Sequence, residues 1–106
     1  MIPNELTIKY AKNKYPMSTG SEEWKNIKGE YEMIDDAIAG TVAHEDYNKS
    51  LGVEKVNEFK SSLEKFKVKV DNYTPKDDVE IKEKEILQNK VNIGLDIYQA
   101  VIGSIK

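Results

Sequence analysis

Apolar residues recur at alternating spacings of three and four along most of the chain, which is the periodicity of an amphipathic α-helix. The first stripe consists of Trp24, Ile27, Tyr31, Ile34, Ile38 and Val42. The second consists of Val56, Phe59, Leu63, Phe66, Val70 and Tyr73. The third consists of Leu87, Val91, Leu95, Tyr98, Ile102 and Ile105. These stripes predict three main helices, over about residues 20–43, 52–72 and 75–105.

The residues at the ends of the stripes are of the types that begin helices. Thr19 and Glu22 have the spacing of a capping box, and Ser21 is an alternative N-cap. Thr74 followed by Pro75 predicts the start of the last helix, because proline is favoured in the first helical turn. The predicted fold is therefore an all-α, antiparallel bundle that forms a single domain over residues 1–106.

Two shorter segments fit more than one structure. Leu6, Ile8 and Tyr10 alternate as in a strand, whereas Leu6 and Tyr10 also fit one turn of helix. We expect this segment to form a short N-terminal element that packs on the bundle. The stretch between Gly40 and Gly52 fits either a short helix or an irregular corner.

The last helix carries more apolar residues than a single stripe requires. Ile86, Ile93 and Ile97 lie roughly 130° from the main stripe at 100° per residue, and Val101 bridges part of the gap. Such a helix is either central in the fold or leaves an apolar patch exposed. Two explanations follow: the N-terminal segment covers this second stripe, or the stripe contacts another chain, either a second copy or a different protein.

Composition excludes several classes of protein. The 106 residues are enough for one core, and the absence of cysteine rules out disulfides, thiol catalysis and cysteine-ligated metals. The single histidine, His44, rules out multi-histidine metal centres. The sequence contains no run of about twenty apolar residues, which is the length that a membrane-spanning helix needs. The polar N-terminus does not resemble a signal peptide. We therefore expect a cytoplasmic protein without membrane contact.

The charged residues also argue against nucleic-acid binding. All sixteen cations are lysine, and the net charge is −3. Arginine supplies the bidentate donor fork used on guanine and phosphate, and lysine does not replace it well. Abundant lysine, isoleucine and asparagine are also typical of AT-rich genomes, which suggests a low-GC bacterium or its phage.

Charge is distributed unevenly along the chain. Residues 21–54 carry a balance of −6 and residues 55–76 a balance of +3. An acidic first helix beside a basic second helix stabilises an antiparallel hairpin modestly. The alternative is that Glu32, Asp35 and Asp36 present an acidic face to a basic partner protein.

Candidate chemistry is sparse. Glu32 with Asp35, and Glu80 with Glu83, have the spacing of carboxylate pairs in magnesium-dependent, all-helical nucleotide hydrolases. The additional E-E-x-x-E set that this chemistry requires is missing. His44 and its acidic neighbours point about 100° apart on a helix, so they do not converge on one ion. The serines lack a linked histidine, and no glycine-rich phosphate loop occurs.

We therefore expect a small non-enzymatic helical protein that acts by binding another protein, as an inhibitor, immunity factor or chaperone. No cofactor, metal ligand or catalytic residue is predicted. The predicted partner-binding residues are Ile86, Ile93, Ile97, Val101, Glu32, Asp35 and Asp36. The alternatives are a divalent-metal nucleotide hydrolase built on the four paired carboxylates, and a self-assembling phage or structural component; a homodimer is also compatible with the second stripe.

Overall fold

The computed structural model describes residues 2–105, which form five helices. In chain order these are α1 (Asn4–Lys12), α2 (Glu22–Ala43), α3 (Glu45–Leu51), α4 (Val53–Asn72) and α5 (Asp78–Ile105). The all-α class is confirmed, and none of these helices is long and apolar enough to cross a bilayer. The predicted count of three main helices plus one element is too low. The N-terminal element is a helix, and the stretch after Gly40 includes a separate short helix.

The three long helices begin within three residues of their predicted starts, and side-chain caps are observed for α2 and α5. The Ser21 hydroxyl accepts the Trp24 N–H at 3.3 Å, so Ser21 caps α2. At α5 the predicted cap, Thr74, is not used. The Asp77 carboxylate accepts the Glu80 N–H at 2.8 Å instead, and this bond moves the helix start to residue 78.

Helices α4 and α5 form an antiparallel pair that contains much of the core. Lys60 Nζ lies 2.9 Å from Gln99 Oε1, and Asp71 Oδ1 lies 2.9 Å from Gln88 Nε2. The twelve residues from Lys60 to Asp71 on α4 are thus paired with the twelve from Gln88 to Gln99 on α5, which run in the opposite direction. The longest dimension of the fold, 43 Å, is about the length of a 28-residue helix at 1.5 Å per residue.

Glycine at position 94 lets neighbouring side chains pack directly against the backbone of α5. A β-carbon at Gly94 would lie 2.9 Å from Ile38 Cδ1 and 3.0 Å from Leu63 Cδ2. These contacts come from α2 and α4, so α5 is packed on more than one side. Of the two alternatives for the last helix, a central position or an exposed apolar patch, the contacts at Gly94 support the central position.

Helix α1 lies along the second apolar stripe of α5. The Tyr10 ring lies near Gly94, and at the opposite end of α1 Ile2 and Val101 line the same cavity. Helix α1 therefore runs antiparallel to α5 and covers the stripe from within the chain. Ile97 is 0% exposed and Val101 is 3% exposed. This burial agrees with the first explanation considered above, that the N-terminal segment covers the second stripe.

This burial changes the set of residues available to a partner. Ile97 and Val101 belong to the core, and Val101 only borders the cavity that it shares with Ile2. Ile86 and Ile93 are half-buried, and Ile93 packs against the core. The second stripe is therefore mainly an internal packing surface, because the chain supplies its own cover.

Truncating Ile97 tests this packing. We expect Ile97→Ala to lower the free energy of unfolding by about 2–5 kcal/mol, because it leaves a cavity in the core. The matched control, Ile8→Ala, changes a side chain on α1 that is 54% exposed and is expected to change stability little. Urea unfolding followed by circular dichroism measures both, and equal losses would contradict the assignment of Ile97 to the core.

Candidate functional site

A buried polar network joins the segment before α2 to the start of α5. Lys28 is fully buried, and its Nζ donates to Glu83 Oε1 at 2.7 Å. The same Nζ donates to the carbonyl oxygens of Pro16 at 2.6 Å and Thr19 at 2.8 Å. Glu83 also accepts from the Thr19 hydroxyl at 2.6 Å and from Trp24 Nε1 at 3.1 Å. One lysine therefore fixes the connection between α1 and α2 against α5.

Glu80 lies one turn before Glu83 and caps α2 from a different helix. Its Oε2 accepts the Ser21 N–H at 2.7 Å, while its Oε1 accepts from the Tyr73 hydroxyl and from the Lys76 N–H at 3.0 Å. Burial is the largest single effect on the pKa of Glu80 and acts to raise it. The hydrogen bonds together outweigh burial and lower this pKa to about 2.

These contacts bear on the hydrolase alternative. Burial likewise acts to raise the pKa of Glu83, but hydrogen bonds from Lys28, Thr19 and Trp24 lower it overall. Both carboxylates are therefore ionised and occupied by protein donors. Within residues 2–105 no group of three or more histidine or acidic side chains is placed to hold a metal ion. The predicted set of Glu32, Asp35, Glu80 and Glu83 is not brought together.

A second polar network fixes α1 to α2 and α5. The Tyr10 hydroxyl donates to Asp35 Oδ1 at 2.5 Å and lies 2.6 Å from the Tyr31 hydroxyl. Since Tyr10 has one hydroxyl proton, Tyr31 donates to Tyr10. Lys90 Nζ donates to the Tyr10 carbonyl oxygen at 3.2 Å and lies 3.8 Å from the centre of its ring. Burial raises the pKa of both tyrosines, so they remain protonated donors.

Asp35 therefore has an internal role. Its carboxylate is 42% exposed but lies 3.6 Å from Lys90 Nζ and accepts a hydrogen bond from the Tyr10 hydroxyl. Glu32 and Asp36, in contrast, are exposed on the side of α2 that faces away from the core. The structure separates the three predicted acids into one that holds α1 and two that face solvent.

His44 and its acidic neighbours, for which no metal or catalytic role was predicted, lie around the junction of α2 and α3. His44 is exposed at the end of α2. The neighbouring Glu45 accepts the Ile2 N–H at 2.9 Å and so helps to hold the N-terminal segment. The cavity beside it, about 230 Å³ in volume, is an open cleft between the start of α1, α3 and the end of α5.

The outward side of α2 contains residues that sequence reasoning did not select. Met33 is 80% exposed, more than any other large apolar side chain within the described residues. A β-carbon at Gly29 or at Gly40 would meet no atom within 4 Å. We call Gly29, Glu32, Met33, Asp36 and Gly40 the α2 outer face.

The run of residues that contains the α2 outer face is acidic, although Glu30 is paired with Lys69 of α4 at 2.8 Å and the exposed Lys25 lies one turn before Gly29. Residues 29–48 contain six acids and no lysine. This run without a cation is a sequence signal for Met33 and Tyr47, the two large apolar residues in it that lie outside the first stripe. The structure places Met33 on the α2 outer face and Tyr47 on α3. The signal was missed because exposure was not evident from the sequence pattern.

Comparison with family models, curated proteins and solved structures finds no match to this chain. The candidate sites are therefore judged on their geometry. In both buried networks, and throughout residues 2–105, every buried side-chain nitrogen and oxygen has a hydrogen-bond partner. The networks consequently serve the fold, and the α2 outer face is the better candidate for contact with another molecule.

Removal of Lys28 tests the first network. We expect Lys28→Met to lower the free energy of unfolding by about 3–5 kcal/mol, because Glu83 keeps a buried charge without its cation. The control, Lys69→Met, removes an exposed ion pair with Glu30 at 2.8 Å, and its loss should be below about 1 kcal/mol. Urea unfolding measures both losses. The double variant K28M/E83Q should be more stable than K28M, and the opposite order would contradict this account.

Acid unfolding tests the capping role of Glu80. Its pKa falls from an ordinary 4.5 to about 2 on folding, so its contribution to stability is complete above about pH 4.5 and is lost as the pH falls towards 2. Tyr73→Phe removes one donor and should raise the folded pKa towards 4.5. The loss of stability below about pH 4.5 should therefore be smaller than in the wild type and should end at a higher pH. Fluorescence of the buried Trp24 reports unfolding, and coincident pH profiles would contradict the prediction.

Proposed function

We propose that this chain is a non-enzymatic protein that binds another protein through the α2 outer face. The observation that carries the proposal is Met33, which is 80% exposed and lies between Glu32 and Asp36 in a twenty-residue run without a cation. Single exposed apolar residues are ordinary on protein surfaces. Its setting among like charges and open helix positions distinguishes Met33 from the other exposed apolar residues.

The physical roles of these residues differ. A methionine side chain is flexible and polarisable, so it adapts to an apolar pocket on a partner and supplies desolvation energy there. Glu32 and Asp36 increase the rate of encounter with a basic surface and set the register of the complex. These are the contributions expected of a small protein that acts by association.

The binding set proposed from the structure is narrower than the one proposed from the sequence. Glu32 and Asp36 are retained and Met33 is added. Ile97 and Val101 are not included because they are buried, and Asp35 is assigned to the attachment of α1. An inhibitor, immunity factor or chaperone in the cytoplasm of a low-GC bacterium or its phage remains our proposal for the biological setting.

Site-specific photo-crosslinking tests the proposal. A benzophenone amino acid placed at position 33 should give a discrete adduct with another protein in cells of the source organism. The matched control places the same group at Val68, which is 59% exposed on α4. Adduct formation from position 33 should be lost in the charge-reversal background E32K/D36K, because the acids steer the partner.

Circular dichroism and unfolding curves of the substituted chains show whether the fold is retained. No adduct from position 33, or the same adducts from positions 33 and 68, would contradict binding through the α2 outer face. Adducts that contain only this chain would show that the α2 outer face binds a second copy of the chain and not a different protein.

A further inference from the structure

We infer that the partner segment is a basic, amphipathic α-helix that lies lengthwise along the α2 outer face. This inference rests on the proposed function and adds the chemistry and the shape of what binds. It is argued from the arrangement of the face along α2, from its two open glycines and from the sign of its charge.

The α2 outer face is a narrow, straight strip. At 100° per residue, Gly29, Met33, Asp36 and Gly40 fall within an arc of roughly 60°. The eleven steps from Gly29 to Gly40 rise about 16 Å along the axis, which is three turns. Met33 lies between the two glycines along the axis, at the edge of the arc opposite Asp36. A strip of this length, with one apolar side chain between two open positions, matches three turns of another helix.

The two glycines leave room that the fold itself does not use. Glycine inside a helix is destabilising relative to alanine because the unfolded chain has more freedom to lose. At Gly94 this cost is explained, because Ile38 and Leu63 pack against its backbone. At Gly29 and Gly40 a β-carbon would meet nothing within 4 Å. The missing side chains therefore permit close approach only from outside, as between closely packed helices.

Charge selects the composition of the partner helix. Glu32 and Asp36 border one side of the strip, and the run of residues 29–48 has no lysine to offset them. An acidic helix, a nucleic acid or an anionic membrane would be repelled. A helix with an apolar stripe to receive Met33, flanked by lysine or arginine, is complementary in both respects.

A synthetic peptide of about fifteen residues, four turns long, supplies the probe. It carries leucine and alanine along one face and lysine on both flanks. One control peptide replaces every lysine with glutamate, and a second has the same composition in scrambled order. Titration into ¹⁵N-labelled full-length protein should shift the amide signals of residues 29–43 with the lysine helix alone. Added salt should weaken this binding.

Variants of the protein distinguish close helix packing from general charge attraction. G29Q/G40Q places two side chains on the strip, where they meet no other part of the protein. Its thermal midpoint should rise because glutamine favours the helix more than glycine does. Peptide affinity should fall at least about tenfold because the new side chains block close approach. The matched control is Gly103→Gln on α5, another helical glycine with no atom within 4 Å of its β-carbon position. This control should keep the wild-type affinity.

Several outcomes would overturn the inference. Equal binding of the scrambled or glutamate peptide, unchanged affinity in G29Q/G40Q, or shifts outside α2 would each do so. Amide signals of the α2 outer face that shift with protein concentration in the absence of peptide would show that this face binds a second copy of the chain instead. If the lysine helix fails while the crosslink from position 33 persists, the helix inference is wrong and the proposed function stands. Loss of both removes the proposed function as well.

Discussion

The arrangement of the helices depends on the buried ion pair between Lys28 and Glu83. The ammonium group is enclosed, so it requires the glutamate and the carbonyl oxygens of Pro16 and Thr19 to replace its water. The lysine lies on α2, and its partners come from α5 and from the connection before α2, so three parts of the chain meet at one charge. Satisfying one charge therefore fixes their relative positions. Glu80 adds to this by capping α2 from α5.

The position of α1 follows from that constraint. Because Lys28 holds the connection between α1 and α2, α1 is returned along α5, where Tyr10 reaches Asp35 and Lys90. The second apolar stripe of α5 is covered in this way. Of the two explanations for this stripe, contact with another chain or cover by the N-terminal segment, the packing of α1 supports the second.

The contacts that α2 makes with the core involve one side of the helix and leave its opposite side exposed. Trp24, Lys28 and Tyr31 turn inward, so the helix presents Met33, its flanking acids and two open glycines to solvent. The proposed binding surface is thus a consequence of which side of α2 the core requires. Its acidic character belongs to α2 itself, whereas the basic residues of α4 are used partly within the fold, as Lys69 with Glu30 shows.

The sequence by itself determined the all-α class and the extents of the long helices, because apolar periodicity and capping residues act locally. It also suggested Glu32, Asp35 and Asp36 as an acidic face, of which Glu32 and Asp36 are exposed, whereas Asp35 contacts Tyr10 and Lys90. Only the tertiary structure decided the helix count, the cover of Ile97 and the pairing of Lys28 with Glu83. A lysine beside a stripe has the same local pattern whether it is solvated or enclosed. The difference lies in residues more than fifty positions away, and local periodicity carries no information about them.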